Sequence, residues 1–147
     1  MNIEVFDARH EMKDTMKSGV AKFLHEHLGE YGDDLSAIEK AMDYALSDEP
    51  GYGGFIVVAR NDDDIVGATV INETGMEEYI PENILVYIAT HEGYRGQGIG
   101  KKLMKKAIDQ CEGGIALHVE PNNPAIHLYR KMGFEKKYVE MRRPDED

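Results

Sequence analysis

The chain has 147 residues, enough for one domain with a packed core and too few for two. Hydrophobic residues make up 41% of it and charged residues 31%, a balance that excludes an intrinsically disordered chain. The 28 acidic and 17 basic residues give a formal net charge of −11, which repels polyanions. We therefore expect no nucleic-acid partner and favour a cationic one.

Cysteine usage and hydropathy indicate the compartment. The single cysteine, Cys111, excludes an intramolecular disulfide and a cysteine cluster for zinc, so we expect no metal and a reducing cytoplasm. The first seven residues carry acids and lack the basic start and apolar run of a signal peptide. The longest apolar runs, residues 55–59 and 84–89, are much shorter than the ~20 residues of a membrane span, so we expect no membrane association.

The first half of the chain predicts one strand, two helices and a hairpin. Residues 2–6 alternate polar and apolar side chains, as a half-buried strand does. Apolar residues recur every three or four positions from Met12 to Leu28, which predicts an amphipathic helix. A second helix is predicted from its N-cap, Asp34, until Pro50 stops it. Residues 55–60 and 65–71 predict a hairpin around an acidic turn.

The second half alternates predicted strands and helices. They are a strand at 84–90, a helix from 98 to about 111, a strand at 115–119, a short helix from 124 to 133 and a last strand at 134–142. Residues 143–147 are predicted to be a frayed, disordered tail. The order predicts one mixed α/β domain over residues 1–147, without internal repeats.

The most distinctive segment is Tyr-Arg-Gly-Gln-Gly-Ile-Gly-Lys-Lys at residues 94–102, between a predicted strand and a predicted helix. Glycines there let backbone N–H groups approach a phosphate, and the helix N-terminus adds partial positive charge. Arg95, with Lys101 or Lys102, adds full positive charge in an otherwise acidic chain. The segment therefore predicts a site for an anionic ligand.

Glycine spacing separates the known phosphate-binding motifs. A Walker-type loop requires a glycine and a Ser or Thr where this chain has Arg95 and Lys102. A dinucleotide fingerprint requires G-x-G-x-x-G, whereas Gly96, Gly98 and Gly100 form G-x-G-x-G. Because the acid Glu120 follows the next strand, where such proteins bind ribose, a nicotinamide dinucleotide-binding protein stays open as an alternative.

Two motifs carry a family resemblance. Arg95, Gly98 and Gly100 form Arg-x-x-Gly-x-Gly, which resembles the coenzyme A pyrophosphate loop of the GCN5-related N-acetyltransferases (GNAT). Residues 122–134 resemble the family's Asn-x-x-Ala-x-x-x-Tyr-x-x-x-Gly-Phe signature. The resemblance spans residues 85–134, with 55–71 as the preceding hairpin. It implies the α/β GNAT (acyl-CoA N-acyltransferase) fold, a mixed central sheet with two splayed parallel strands flanked by helices.

The resemblance also implies how acetyl-CoA, the cosubstrate, would bind. Its pantetheine arm would lie between the splayed strands, residues 85–90 and 115–119, and its pyrophosphate against the glycine loop, which we define as residues 95–100. The implied cofactor-binding residues are Ile88, Ala89 and Thr90 through their backbone, then Arg95, Gly96, Gln97, Gly98, Ile99, Gly100, Lys101 and Asn122. The glycines could instead serve only to make a tight connection from a strand to a helix. Asn122 could instead serve only as a helix cap.

Two residues are implied to be catalytic. Tyr129 matches the tyrosine that protonates the departing thiolate, and a phenol with a pKa of about 10 is protonated at neutral pH. His118 stands where the family's ribosomal-protein alanine acetyltransferases carry a catalytic glutamate, and an imidazole suits a base. A core aromatic and a pocket-lining histidine are the respective alternatives. Weaker candidates for the base are Glu77, Glu78, Glu82 and His91.

The resemblance implies an acetyl-CoA-dependent N-acetyltransferase in which a primary amine attacks the thioester directly. The acceptor would be a small amine, a polyamine, a lysine or a peptide N-terminus. A non-catalytic acyl-CoA-binding regulatory domain is an alternative from another class. Only 13 residues follow Phe134, so the last strand either stands alone or is joined by a second subunit, which would make a homodimer.

Overall fold

Five strands and four α-helices make up residues 1–145, the part of the chain that the computed structural model describes. Single 3-10 turns cover Gly29–Tyr31 and Glu92–Tyr94. The elements are β1 (Asn2–Phe6), α1 (Asp14–Leu28), α2 (Leu35–Ala45), β2 (Gly54–Asn61), β3 (Asp64–Glu73), β4 (Asn83–Thr90), α3 (Ile99–Gln110), β5 (Ile115–Leu117) and α4 (Ile126–Lys131).

The sheet is mixed, as the sequence predicts. Its strands lie in the order β1-β2-β3-β4-β5, and all neighbours are antiparallel except β4 and β5, which are parallel. This parallel pair is short: Asn83 pairs with Ile115, Ile84 with Ala116, and Leu85 with Leu117. Within the described residues, the pairing of β4 with β5 ends there, although β4 continues for five residues to Thr90. The C-terminal half of β4 therefore has a free edge on the β5 side.

A β-bulge lies at the position where β4 and β5 stop pairing. Val70 pairs with Tyr87 and Ile71 with Leu85, so Val86 is the extra residue. The extra residue reverses the alternation of side chains: Leu85 packs in the core on one face of the sheet, and Tyr87 in the core on the other. The bulge therefore turns the Tyr87 ring towards α1 and α2.

Two apolar cores sandwich the sheet. On one face α1 and α2 bury Leu24, Ile38 and Met42, and on the other α3 and α4 bury Leu103 and Met104. Complete burial of such a side chain contributes about 1.5–3 kcal/mol. The amphipathic periodicity seen in the sequence thus marks the faces that the helices bury.

A glycine of β3 brings α3 close to the sheet. A Cβ at Gly67 would lie 2.7 Å from the Leu103 side chain and 2.9 Å from that of Ile99. Because position 67 has no side chain, the first turn of α3 packs directly on β3. This packing sets the position of the glycine loop, which enters α3.

Two predictions about the C-terminal part are wrong. The strand expected at 115–119 ends at Leu117, and the strand expected at 134–142 is absent from the described residues. A strand requires a partner edge and an apolar face that it can bury. Here β5 offers an edge of three residues, and Tyr138, Val139 and Met141 are 85–90% exposed. Residues 143–145 of the predicted tail are exposed and have no regular structure, and residues 146–147 lie outside the described residues.

None of the helices in residues 1–145 combines the length and the apolar composition that crossing a membrane requires.

Candidate functional site

The glycine loop connects the end of β4 to the start of α3. Gly96 has a φ of 82° and Gly98, the N-cap of α3, has a φ of 76°, in the left-handed region that favours glycine. A Cβ at either position would meet nothing within 4 Å. The backbone conformation therefore requires these two glycines, and the space beside them is open to a ligand.

A pocket of about 300 Å³ lies against this loop. Ten residues line it: Thr90, Tyr94, Arg95, Gly96, Gly98, Ile99, Gly100, Lys101, Leu128 and Lys131. Three of them are cations, in a chain whose net charge is −11. The N-terminus of α3, a helix of 12 residues, adds the partial positive charge of its free N–H groups. The pocket is therefore suited to an anionic group such as a phosphate.

Seven of the predicted cofactor-binding residues line this pocket, and four do not. Gln97 is exposed in the loop but outside the lining. Ile88 and Ala89 lie on β4 beyond its last pair with β5. Asn122 is exposed in the connection from β5 to α4, where its backbone oxygen accepts a hydrogen bond from Tyr31 (3.2 Å).

Sequence reasoning missed three residues of the pocket lining. Tyr94 directly precedes the glycine loop. Leu128 and Lys131 lie three positions apart on α4 and hence on one face of that helix. The spacing of three residues between Leu128 and Lys131 is the signal in the sequence that could have identified Lys131, provided that Leu128 was already known to line the pocket.

Tyr129 lies on α4 beside the pocket-lining Leu128. Its side chain belongs to the core under α3, and the residue is only 7% exposed. The ring of Phe134 meets it at a centroid distance of 6.0 Å and an angle of 61°. Burial raises the pKa of Tyr129. The phenol therefore holds its proton throughout the neutral range.

His118 is the first residue after β5, not a residue within it. It is exposed, at the point where the parallel strands have parted. Glu77 and Glu78 are exposed in the connection that precedes β4, and Glu82 accepts a hydrogen bond from the Gly114 backbone (3.2 Å) at the start of β4. These three glutamates are therefore at the opposite end of β4 from the pocket.

Two tyrosines fasten the connection between α1 and α2. The Tyr87 hydroxyl donates to Asp33 Oδ2 (2.6 Å), and the Tyr31 hydroxyl donates to the Asn122 oxygen. Burial, and then the hydrogen-bonded carboxylate, raise the pKa of Tyr87. The connection is thus attached both to β4 and to the segment after β5. Both attachment points, Tyr87 and Asn122, follow the last pair between β4 and β5 in the chain.

His91 follows β4 directly, at the start of the turn into the glycine loop. Its Nδ1 accepts a hydrogen bond from the Gly93 amide (3.0 Å). Its ring lies 4.5 Å from the ring of His27 on α1 and 5.4 Å from that of Tyr94, to which it is nearly perpendicular. His91 therefore links α1 to the wall of the pocket.

Comparison with known families decides the classification. The model of the acetyltransferase (GNAT) domain matches residues 52–136, which is more than half of the chain. The chain belongs to the GNAT family. The match includes the hairpin of β2 and β3, the glycine loop and α4.

Curated relatives match about half of this GNAT chain. The N-alpha-acetyltransferase RimI of Mycobacterium tuberculosis is 33% identical over 82 residues, which cover 54% of this chain and 51% of that protein. Streptothricin acetyltransferase of Streptomyces lavendulae is 33% identical over 85 residues, covering 54% and 43% respectively. The chain thus spans about half or less of the length of the curated relatives that it matches.

Solved structures resemble the whole GNAT fold. A ribosomal-protein-alanine N-acetyltransferase from Brucella melitensis biovar Abortus 2308 has a TM-score of 0.66 at 18% identity, with complete coverage of both chains. A chain of the NatC complex bound to Gag peptide and CoA has a TM-score of 0.70 at 22% identity, covering 94% of this chain and 87% of that one. At these identities the likeness establishes the fold alone.

Proposed function

We propose that the protein is an N-acetyltransferase that transfers the acetyl group of acetyl-CoA to a primary amine by direct attack. One observation carries the proposal: the cationic pocket at the glycine loop lies at the end of β4 that has parted from β5. A phosphate site and a free strand edge thus lie side by side. Family membership supports the same reaction class.

The residues around the pocket fit a coenzyme A pyrophosphate. Gly96 and Gly98 leave their backbone open to a ligand, and Arg95 and Lys101 supply charge. The unpaired edge of β4 at Ile88, Ala89 and Thr90 offers backbone groups to an extended amide-containing arm, in the way that one strand pairs with another. When bound, acetyl-CoA would supply the activated thioester that the amine attacks.

Two side chains would manage the protons. Tyr129 holds a proton at Oη in the neutral range because burial raises its pKa, so we assign it as the acid for the leaving sulfur. His118, exposed where the strands part, is the proposed base for the incoming ammonium group. Both roles use ordinary proton transfer, and Cys111, whose pKa is raised to about 11 by burial, has no part in them.

The acceptor that we propose is a cationic amine: a small amine, a polyamine, a lysine or a peptide N-terminus. The net charge of −11 attracts such a group at long range. The connection between α1 and α2, fastened by Tyr31 and Tyr87, carries Glu30 and Asp33 and would form one wall of the acceptor site. The names of the relatives include both an N-alpha-acetyltransferase and an acetyltransferase of a small molecule.

A thermal shift with acetyl-CoA, coenzyme A and NAD in parallel tests the proposal. A ligand at 100 times its Kd adds about 2.7 kcal/mol, which raises the Tm of a domain this size by several degrees. We expect a shift with both forms of coenzyme A and none with NAD. Free-thiol release with a panel of amines then identifies the acceptor. No shift with acetyl-CoA would overturn the proposal, and a shift with NAD alone would favour a dinucleotide-binding protein.

The homodimer stays a prediction. A light-scattering mass equal to that of one chain would contradict it.

A further inference from the structure

We propose that His91 is a positioning residue for the glycine loop: its Nδ1 accepts a hydrogen bond from the Gly93 amide and thereby fixes Tyr94 and Arg95 at the pocket. The inference rests on the proposed function, because it takes coenzyme A to be the ligand of that pocket. It assigns a role to a histidine that is not itself part of the pocket lining but contacts Tyr94, which is.

His91 is anchored to the sheet and directs the next turn of the chain. Its backbone N–H donates to the Val66 oxygen of β3 (2.8 Å), and its own oxygen accepts from the Tyr94 N–H (2.9 Å). The side chain then adds a third bond, from the Gly93 amide to Nδ1 (3.0 Å). Thr90 and Arg95 both line the pocket. The turn that connects them is thus held by three hydrogen bonds of one residue, His91.

Position 93 is shaped to receive the ring. A Cβ at Gly93 would lie 3.2 Å from Nδ1 and 3.3 Å from Cε1 of His91, closer than side chains normally pack. The glycine therefore lets the imidazole approach the backbone that it caps. Tyr94 is held from two sides, by the His91 ring and by a hydrogen bond from Asn61 Nδ2 (3.4 Å).

His27 supports the His91 ring from α1. The His27 side chain is only 6% exposed, and its ring lies 4.5 Å from His91 and 4.5 Å from Phe23. Desolvation by burial is the main cause that lowers the pKa of His27, so its ring is neutral near pH 7. A neutral, packed His27 holds His91 in the orientation that the Gly93 bond requires.

Protonation would break this arrangement for a chemical reason. An imidazolium ring carries hydrogens on both nitrogens, so its Nδ1 cannot accept the Gly93 bond. The titratable and charged groups around the pair are Glu26 and His27 on α1, and Glu92, Tyr94 and Arg95 in the turn. Loss of the acceptor at Nδ1 would therefore release Tyr94 and Arg95.

The test compares wild-type protein with two variants at position 91. His91→Asn keeps a side-chain oxygen that can accept a hydrogen bond from the N–H two residues further on. His91→Leu removes the acceptor. The Kd of coenzyme A is measured by calorimetry for all three proteins at pH 7.5 and the same ionic strength.

Since one hydrogen bond is lost, we expect His91→Leu to bind coenzyme A about three- to tenfold more weakly than wild type. His91→Asn, which keeps an acceptor, should bind like wild type. Unchanged binding by His91→Leu, or binding by His91→Asn that is as weak as that of His91→Leu, would overturn the inference.

A second readout needs no ligand. The Gly93 amide of the free protein should exchange its hydrogen more slowly in wild type and His91→Asn than in His91→Leu. Equal exchange in all three proteins contradicts the hydrogen bond and the inference with it. If wild type fails to bind coenzyme A even at pH 7.5, the proposed function fails, and this positioning role fails with it. If all three proteins bind coenzyme A equally well, the role of His91 is refuted and the proposed function is not.

Discussion

The Tyr87 hydroxyl donates a 2.6 Å hydrogen bond to a carboxylate oxygen of Asp33. This bond joins β4 to the connection between α1 and α2, and it exists because the bulge at Val86 turns Tyr87 to that face. The residues that follow Tyr87 on β4 have no partner in β5 within the described chain. The bulge in β4 therefore lies where two features of the site begin. One is the free edge of β4, and the other is the hydrogen bond that attaches the connection between α1 and α2.

Tyr87→Phe should weaken both stability and acceptor binding. The ring stays buried, but the bond to Asp33 is lost, which costs about 1 kcal/mol because Asp33 is exposed and regains water. We expect a higher KM for the amine and an unchanged KM for acetyl-CoA, measured with urea unfolding alongside. The matched control is Tyr138→Phe, whose side chain is 85% exposed. An acceptor KM equal to that of the control would show that the bond does not shape the acceptor site.

Alkaline pH should destabilise the protein through Tyr87 and Tyr129. Both have a pKa raised above that of the unfolded chain, where a tyrosine ionises near pH 10. Their stabilising effect is therefore complete below about pH 10 and is lost as the pH rises towards their folded values. Urea midpoints at pH 9 and pH 11 should fall less in Tyr87→Phe than in Tyr138→Phe. Parallel curves for the two variants would contradict the assignment.

Replacing a glycine by alanine should have opposite effects on stability in the glycine loop and in α1. Gly98→Ala forces a side chain into a φ of 76° and should cost about 1–2 kcal/mol. It should also weaken coenzyme A binding, because the loop backbone must change. Gly19→Ala is the control: this helical glycine has an ordinary φ, its Cβ would lie 3.6 Å from Ile65, and the change should stabilise α1 by about 0.5–1 kcal/mol. Chemical denaturation of both variants checks the signs, and a stabilised Gly98→Ala would show that the left-handed conformation is not required.

Local signals in the sequence predicted most of this molecule. Residues 2–6 form β1 and residues 84–90 belong to β4, and the glycine loop lies between a strand and a helix, because short periodic patterns and glycine spacing are local properties. The strand expected at 134–142 was wrong because pairing depends on a distant edge, and β5 provides only three residues. The direction of Tyr87 depends on a bulge that follows from the register with β3, which no local pattern contains.

The candidate site was predictable in part for the same reason. The loop residues that line the pocket are contiguous in sequence, whereas Lys131 reaches it only because α4 packs beside α3. The sequence offers His91 only as a weaker candidate for the base, and in the structure its ring contacts the Gly93 amide and His27. Its place in the turn follows from tertiary contacts between α1 and β4 that the sequence does not display.

His118→Gln tests the proposed base. If His118 takes the proton of the incoming ammonium group, the variant should lose about 100-fold in kcat/KM for the amine and keep the Kd for acetyl-CoA. The fold should tolerate the change, since an exposed side chain is replaced by another polar one. A normal kcat would instead make His118 a pocket-lining residue and direct the search to a water-relayed base.

Tyr129→Phe separates an acetyltransferase from a non-catalytic acyl-CoA-binding domain. The ring and its contact with Phe134 are retained, so folding and coenzyme A affinity should change little. If the phenol protonates the leaving sulfur, kcat should fall about 100-fold or more, within the usual range for general acids, with the Kd for acetyl-CoA kept. Stopped-flow or steady-state thiol release measures kcat, and calorimetry measures Kd.

Tyr138→Phe serves again as the control, because it alters an exposed hydroxyl outside the pocket lining. Full turnover in Tyr129→Phe would remove the tyrosine from the mechanism, and absence of turnover in the wild type despite tight binding would favour the regulatory domain.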